Sequence, residues 1–287
     1  QLAKVKGVIP ETVLPDGYAI LNADDDLVYD MRRTVNCNVA LFSMDEENPR
    51  IQAMQRLGGI TAVYENGFVT ICRGVWKMRI MRAEQIPLTY GGRALFMIKN
   101  VLAAVLAAHV RGVSNQDIKA ALETFIPSAS QTPGRLNLFH FENFKVLLDY
   151  AHNPAGMRAL KEFTDTIECS KKVGIIAGVG DRRVEDNNEM GSLAAEMFDE
   201  IIIRQDKRLR GKTEAELIKM LNDGIQMKDP NKKTTIIPSE KEAITYAVNH
   251  AEKDSLIVLC SDVIPDALDL VKRFKEQDAQ GVTKFTL

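Results

Sequence analysis

From Val146 to Cys260, short apolar runs alternate with stretches that carry helix signals. Val146–Leu148, Val173–Ala177, Ile201–Arg204, Thr234–Ile237 and Leu256–Cys260 read as strands. Between and after them, helices are expected from Asn153-Pro154, from about Asn187 to Phe198, from Thr213 to Asp223, from the capping box Ser239–Glu242 and from Pro265. Strands separated in this way lie parallel, because a parallel crossover needs about a dozen or more residues and its helices cover both faces of the sheet. An α/β fold follows, and its ligands are expected in the crevice outside the carboxyl ends of the strands.

The stretch from Gln131 to Pro154 reads as a joint between two domains: Gln-Thr-Pro-Gly-Arg, a strand pair, then Asp149-Tyr-Ala-His-Asn-Pro154. Pro127 to Pro133 is the linker candidate, with the boundary near Thr132, giving domains of residues 1–131 and 132–287. The apolar run ends at Asp149 because Asn153 can cap a helix and Pro154 suits its first position. A carboxylate there can accept hydrogen bonds from sugar hydroxyls, although an Asp closing a strand is more often a turn residue. His152 is read as lining such a site rather than as an acid or base. Arg135 is either a hinge salt-bridge residue or a planar cation that stacks on purines and reaches phosphates.

Upstream, Tyr18–Leu21 and Val39–Phe42 read as strands, and Asn48-Pro49 opens a helix that ends at Gly58-Gly59. Glu65-Asn66-Gly67 joins two β-rich runs as a hairpin. Trp76, Met78 and Ile80 alternate as a third strand, the Trp read as sheet packing. Asp24 to Asp26 could bind a metal but better suit the positive end of the following helix. Ile98, Val101, Leu102 and Val105 form a buried helical stripe within Leu95–Val110. Asn100 lies beside Ala103, Ala104 and Ala107, and its amide offers the donor and acceptor that match the N6/N7 edge of adenine.

A net charge of -2 and a pI near 6.2 give no global field for nucleic acid. The apolar run Val101–Ala108 is far short of the roughly 20 residues that cross a bilayer, so no membrane partner is expected. Cys37, Cys72, Cys169 and Cys260 are scattered without metal-ligand spacing and read as reduced thiols of a cytoplasmic protein. Gly178-Val179-Gly180-Asp181 lacks the third glycine of a dinucleotide fingerprint.

Thr132-Pro-Gly-Arg135, a strand pair and Asp149-Tyr-Ala-His-Asn-Pro154 together resemble the junction of the Mur ligase family, the ATP-dependent amide ligases. VIPE, PDGYAILNADD, YENG, GVGDRR and SQTPGRLNLF extend the resemblance over the whole chain, toward a member that attaches arginine to the aspartate side chains of a polymer. The resemblance implies the remainder of a central ATPase domain followed by a Rossmann-like carboxyl-terminal domain. It implies ATP and Mg2+ as cofactors, with arginine and an aspartate-polymer chain as further partners; a homo-oligomer is compatible with it. Asn100 would be the adenine contact, with Arg135, Asp149 and His152 on the nucleotide. Lys6, with Lys4 competing for the alignment, corresponds to a lysine carbamylated in several members that helps hold a second magnesium ion.

For the incoming amino acid, Asp181, Arg182, Asp206 and Arg210 are the candidates, with Glu185 and Asp186 as further carboxylates for a guanidinium. Residues 206–210, Asp-Lys-Arg-Leu-Arg, depart from the family's amino-acid-reading DNPR motif in content and spacing. No G-x-x-x-x-G-K-[ST] stretch occurs in the 287 residues, so this piece alone is expected to be inactive, a part of a longer ligase. A ligase for peptidoglycan precursors or folate, and a non-catalytic binding module, are the alternatives.

Overall fold

A computed structural model describes residues 2–205 and 209–286. The chain divides into two compact units, Gln1–Ile126 and Pro127–Leu287. The division falls at the start of the Pro127–Pro133 stretch.

The first unit contains α1 (Leu2–Glu11), β1 (Tyr18–Asn22), α2 (Asp26–Asp30), β2 (Asn38–Ser43), α3 (Pro49–Arg56), β3 (Ile60–Glu65), β4 (Phe68–Arg73), β5 (Trp76–Arg82), α4 (Leu95–Val110) and α5 (Asn115–Thr124). The strands form one sheet in sequence order, parallel from β1 to β3 and antiparallel from β3 to β5. The change of direction comes from the Asn66-Gly67 turn, where both residues have positive φ. Ile98, Val101, Leu102 and Val105 of α4 are all buried, as the spacing of the apolar residues requires, and the last three pack in one core with Ala62, Val69 and Ile71 of the sheet.

Two acidic and aromatic features of this unit resolve differently. Asp25 caps α2 by accepting from Val28 N–H at 2.9 Å, while Asp24 accepts from Ser43 Oγ, Met44 N–H and Asn48 Nδ2, and Asp26 pairs with Arg50. The acidic run is therefore occupied with holding its own turn. Trp76, expected to pack on the sheet, is instead 80% exposed. It pairs with Arg73 beside the turn of an edge hairpin, whereas the inward Ile80 and Met81 of the same strand pack in the core that includes Ile118 of α5.

The second unit contains β6 (Asn137–His140), β7 (Phe144–Asp149), α6 (Pro154–Thr164), β8 (Lys172–Ala177), α7 (Val184–Met197), β9 (Glu200–Arg204), α8 (Glu214–Lys228), β10 (Lys233–Ile236), α9 (Glu240–Asn249), β11 (Ser255–Cys260) and α10 (Ile264–Ala279). The sheet order is β10-β9-β8-β11-β7-β6, parallel except for β6. From β7 the chain leaves a gap, places β8, β9 and β10 outward to one edge, and returns with β11 between β8 and β7. Loops after β7, β8 and β11 thus part company at one point, the place where open α/β sheets bind ligands. The central strands β9 and β11 are buried along their whole length, as strands covered on both faces must be.

Helix starts follow their sequence signals. Asn153 caps α6 through Gly156 N–H with Pro154 in its first turn, Thr213 and Glu216 form a reciprocal capping box on α8, and Ser239 caps α9. The pairing of α7 with α8 has a different basis. Gly191 and Gly224 let the two backbones touch: a Cβ on Gly224 would lie 1.9 Å from the carbonyl oxygen of Asn188, and one on Gly191 2.1 Å from that of Leu221. Replacing a helical glycine by alanine gains about 1 kcal/mol of propensity, but overpacking against backbone costs about 1–3 kcal/mol. Gly224→Ala is therefore expected to lower the melting temperature of the chain in a thermal denaturation followed by circular dichroism.

Candidate functional site

The loops that leave the carboxyl ends of β7, β8, β9 and β11 enclose a cavity of about 310 Å³. Its wall is formed by Tyr150 and His152 after β7, Val179 and Arg182 after β8, Arg210 after β9, and Asp262, Val263 and Pro265 after β11. Each loop is pinned. Asn187, buried at the start of α7, gives its side-chain oxygen to Val179 N–H at 2.9 Å and its amide nitrogen to Val179 carbonyl at 3.1 Å. Lys212, before α8, donates to the carbonyls of Gly180 and Arg182 at 2.5 and 2.9 Å, tying the β8 loop to the one that carries Arg210. Ser261 N–H donates to Asp149 carbonyl, and Val263 N–H to Ser261 Oγ.

Beneath the cavity, Arg204 at the end of β9 is 3% exposed. It donates to Gln205 and Cys260 carbonyls at 3.0 and 2.9 Å and to Asp262 Oδ1 at 3.2 Å, and its Nε lies 3.1 Å from Glu240 Oε2 as an ion pair without hydrogen-bond alignment. A guanidinium keeps its proton, so burial is tolerated only with such partners, and removing one partner of a buried pair typically costs about 3–5 kcal/mol.

Among the residues singled out from the sequence, His152, Arg182 and Arg210 meet in this cavity. Asp181 pairs with Arg210, and Arg135 lies with its guanidinium 4.9 Å from the Tyr150 ring centre. Glu185 is exposed and Asp186 pairs with Arg183, so neither faces the cavity wall described here. Asp206 lies outside the described residues. Tyr150, Asp262 and the buried Arg204 were not anticipated. The signal for Asp262 was available: like Asp149, it follows an apolar run and precedes a proline-initiated helix.

Asp149, expected from the sequence to face a sugar, is a buried clamp on the backbone of its own turn. It is 8% exposed, and its two oxygens accept from Leu136 N–H at 2.9 Å and Ala151 N–H at 2.8 Å. Backbone N–H groups buried in a turn require an acceptor, and the carboxylate provides it for both. Burial raises its pKa above the usual carboxylate range, opposed by the N–H groups and by Arg135.

In the first unit, Asn100 stands at an apolar cavity of about 300 Å³ lined also by Ile86, Leu88, Val101, Ala104, Ala121, Leu122 and Phe125. Its side chain is the polar one in that lining, and its contact with Met97 Sδ at 3.6 Å is weak. An apolar slot with one amide suits a flat heterocyclic base. Lys6 lies exposed on α1. Among the described residues, no cluster of three or more His, Cys, Asp or Glu side chains could hold a metal ion, and no helix is long and apolar enough to cross a membrane.

Residues 134–263, which include nearly all of the cavity wall, match the family described as Mur ligase, glutamate ligase domain. The match places a Mur ligase domain in the second unit. The chain is 44% identical to the cyanophycin synthetase of Nostoc sp. over 272 residues, which is 95% of this chain and 30% of that protein. The cyanophycin synthetase of Synechocystis sp. is 44% identical over 275 residues, 96% of this chain and 31% of that protein. The chain thus spans under a third of the length of these relatives. The chain also shares its fold with solved structures: MurF from Acinetobacter baumannii, with a TM-score of 0.66 and 19% identity over 96% of this chain and 55% of that one, and E. coli FolC with DHPP and ADP, with a TM-score of 0.64 and 14% identity over 98% and 57%.

His152 provides a pH readout of the cavity. Burial lowers its pKa below the ordinary 6.5; Arg182 and Arg135 add to this, while its contact with Tyr150 carbonyl and the charge of Asp181 oppose it. A depressed folded pKa contributes stability that is fully present above the unfolded value and is lost as pH falls through 6.5 toward the folded value. The melting temperature of the chain is expected to fall less over that range in His152→Gln than in the unaltered chain; equal slopes would show that the imidazole is not held neutral.

Proposed function

We propose that this chain is part of an ATP-dependent acid–amino-acid ligase of the cyanophycin synthetase type, which adds arginine to the aspartate side chains of a polymer. The observation that carries the reading is the cavity walled by Tyr150, His152, Arg182, Arg210 and Asp262 in the unit that contains the Mur ligase domain. Its charges of both signs suit a zwitterionic amino acid, whose carboxylate the arginines can receive.

In the proposed reaction the side-chain carboxylate of the polymer attacks the γ-phosphate of ATP, forming an acyl phosphate and releasing ADP. The α-amine of arginine then attacks the acyl carbon, the amide bond forms, and inorganic phosphate leaves with the proton of the amine lost to solvent. The nucleoside end of ATP is assigned to Asn100 in the first unit; Arg135, Asp149 and His152 are nucleotide residues by the family resemblance alone. Phosphoryl transfer rests on positioning and on cations that neutralise phosphate charge. Among the described residues no group of three or more His, Cys, Asp or Glu side chains could hold the magnesium ion that such transfer calls for; Lys6, exposed on α1, is proposed to help hold it once carbamylated. Residues 1–287 alone are expected not to turn over ATP, because no phosphate-cradling glycine-rich loop is among them.

A second reading, a ligase for diaminopimelate, is favoured by 30% identity over 178 residues to the UDP-N-acetylmuramoyl-L-alanyl-D-glutamate--2,6-diaminopimelate ligase of Caldanaerobacter subterraneus, covering 62% of this chain and 35% of that protein. Calorimetric titration separates these readings. ATP and adenosine are expected to bind weakly and about equally, and both to be lost in Asn100→Ala; unchanged binding in that variant would remove Asn100 from the site. L-arginine is expected to bind and diaminopimelate not to, and the opposite order would favour the second reading.

A further inference from the structure

We infer that Arg182 receives the α-carboxylate of the incoming amino acid, and that Lys212, from the neighbouring loop, is the positioning residue that holds Arg182 for it. The inference rests on the arginine reading above and deepens it by naming the residue, and with it the end of the cavity at which the amine is presented.

Two guanidinium groups stand in the cavity wall, those of Arg182 and Arg210, and they are not equivalent. Arg210 is already paired with Asp181. Arg182 is half-buried, its Nε is enclosed without a hydrogen-bond partner, and among the described residues no carboxylate pairs with its guanidinium. A guanidinium keeps its proton, and a charge partly withdrawn from water is costly until an acceptor meets it. The neighbouring arginines show the usual solution: Arg183 is paired with Asp186, and Arg204 beneath the cavity with Glu240 and Asp262. For Arg182 the described residues supply no such anion, and a carboxylate in the cavity does.

The main chain of Arg182 is held on both sides. Its N–H donates to Val179 carbonyl at 3.2 Å, and Val179 is itself fixed by Asn187 through both its N–H and its carbonyl. Its carbonyl accepts from Lys212 Nζ at 2.9 Å, and the same ammonium donates to Gly180 carbonyl at 2.5 Å. Lys212 immediately precedes Thr213, the capping residue of α8, so the arm that carries Arg182 is referred to the start of that helix. With its backbone fixed, the side chain gives up less freedom on gripping a ligand, and its planar fork meets a carboxylate through two parallel hydrogen bonds. The α-amine is attached to the carbon next to the carboxylate. The nucleophile of the proposed reaction is therefore presented beside the loop after β8.

A purely structural role for Arg182 or Lys212 would affect folding without changing which ligand is preferred, so the test reads preference. L-argininamide has the side chain and α-amine of L-arginine, with an uncharged carboxamide in place of the carboxylate. Each is titrated by calorimetry into the unaltered chain, Arg182→Met, Arg182→Lys, Lys212→Met, Lys212→Arg and Arg183→Met, with melting curves alongside. Arg183→Met removes the same charge from the adjacent position, which is not on the wall.

The unaltered chain is expected to prefer arginine over argininamide by about tenfold or more, the size of one charge-assisted contact. Arg182→Met is expected to lower arginine affinity to the argininamide level while argininamide affinity stays as it was, and Arg182→Lys to recover part of the preference. Arg183→Met is expected to keep it. Lys212→Met is expected to lose much of it and Lys212→Arg to recover part; a full preference in Lys212→Met overturns the positioning role. Should the variants fail to fold, the unaltered chain decides through the imidazole of His152. Burial lowers the pKa of His152 and the charge of Arg182 lowers it further, with Arg135 and Asp181 the other charges acting on it. In an NMR titration that pKa is expected to rise when L-arginine binds and not to rise with L-argininamide; no rise with L-arginine overturns the inference. A preference that survives in Arg182→Met, or falls as far in Arg183→Met, overturns the inference and leaves the arginine reading standing, as does equal binding of the two ligands by the unaltered chain. No binding of L-arginine overturns the arginine reading and the inference with it.

Discussion

A single buried carboxylate holds the ligand-facing edge of the second unit in shape. Asp149 ends β7 and accepts from the backbone on both sides of it, Leu136 before the hairpin and Ala151 after the strand. Leu136 has a φ of 48°, a left-handed conformation that costs a branched side chain about 1–3 kcal/mol, and its N–H donates to that carboxylate at 2.9 Å. Gly134 shares the turn, at φ 71°, with Tyr150 N–H donating to its carbonyl. The carbonyl of Asp149 receives Ser261 N–H, so the loops after β7 and β11 are joined through one residue. The TPGR stretch and the DYAHNP stretch are thus two halves of one structure.

The architecture of the second unit was legible because it is written in local signals. Parallel strands need long crossovers, crossovers need helices, and each helix start carries a side chain that accepts from its own backbone, as Asn153, Thr213 and Ser239 do. The buried stripe of α4 was legible for the same reason. What was not legible depends on partners far away in sequence. Asp149 could be read as pointing to a crevice because nothing local shows that Leu136 needs its oxygen. Trp76 alternates correctly for a strand, but alternation does not say where along an edge strand the covering helices stop.

The site was half legible for a related reason. Arg182 and Arg210 were found by charge and position within loops, and both line the cavity. Arg204 escaped notice because a charge at the end of an apolar strand reads as the place where the strand meets water, whereas here it is among the least exposed residues. Apart from the neighbouring Gln205 carbonyl, its partners come from β11, from the loop after it and from the start of α9, a set that the return of β11 into the middle of the sheet brings together.

The crossing of α7 and α8 at Gly191 and Gly224 bears on how the cavity can respond to a guest. The loops bearing Arg182 and Arg210 run directly into these two helices, and backbone set against backbone leaves no side chain to rotate aside. The backbones that carry the two arginines are thus referred to one helix pair, and Lys212 ties them again through the carbonyls of Gly180 and Arg182, so a change at that helix crossing reaches both arginines together.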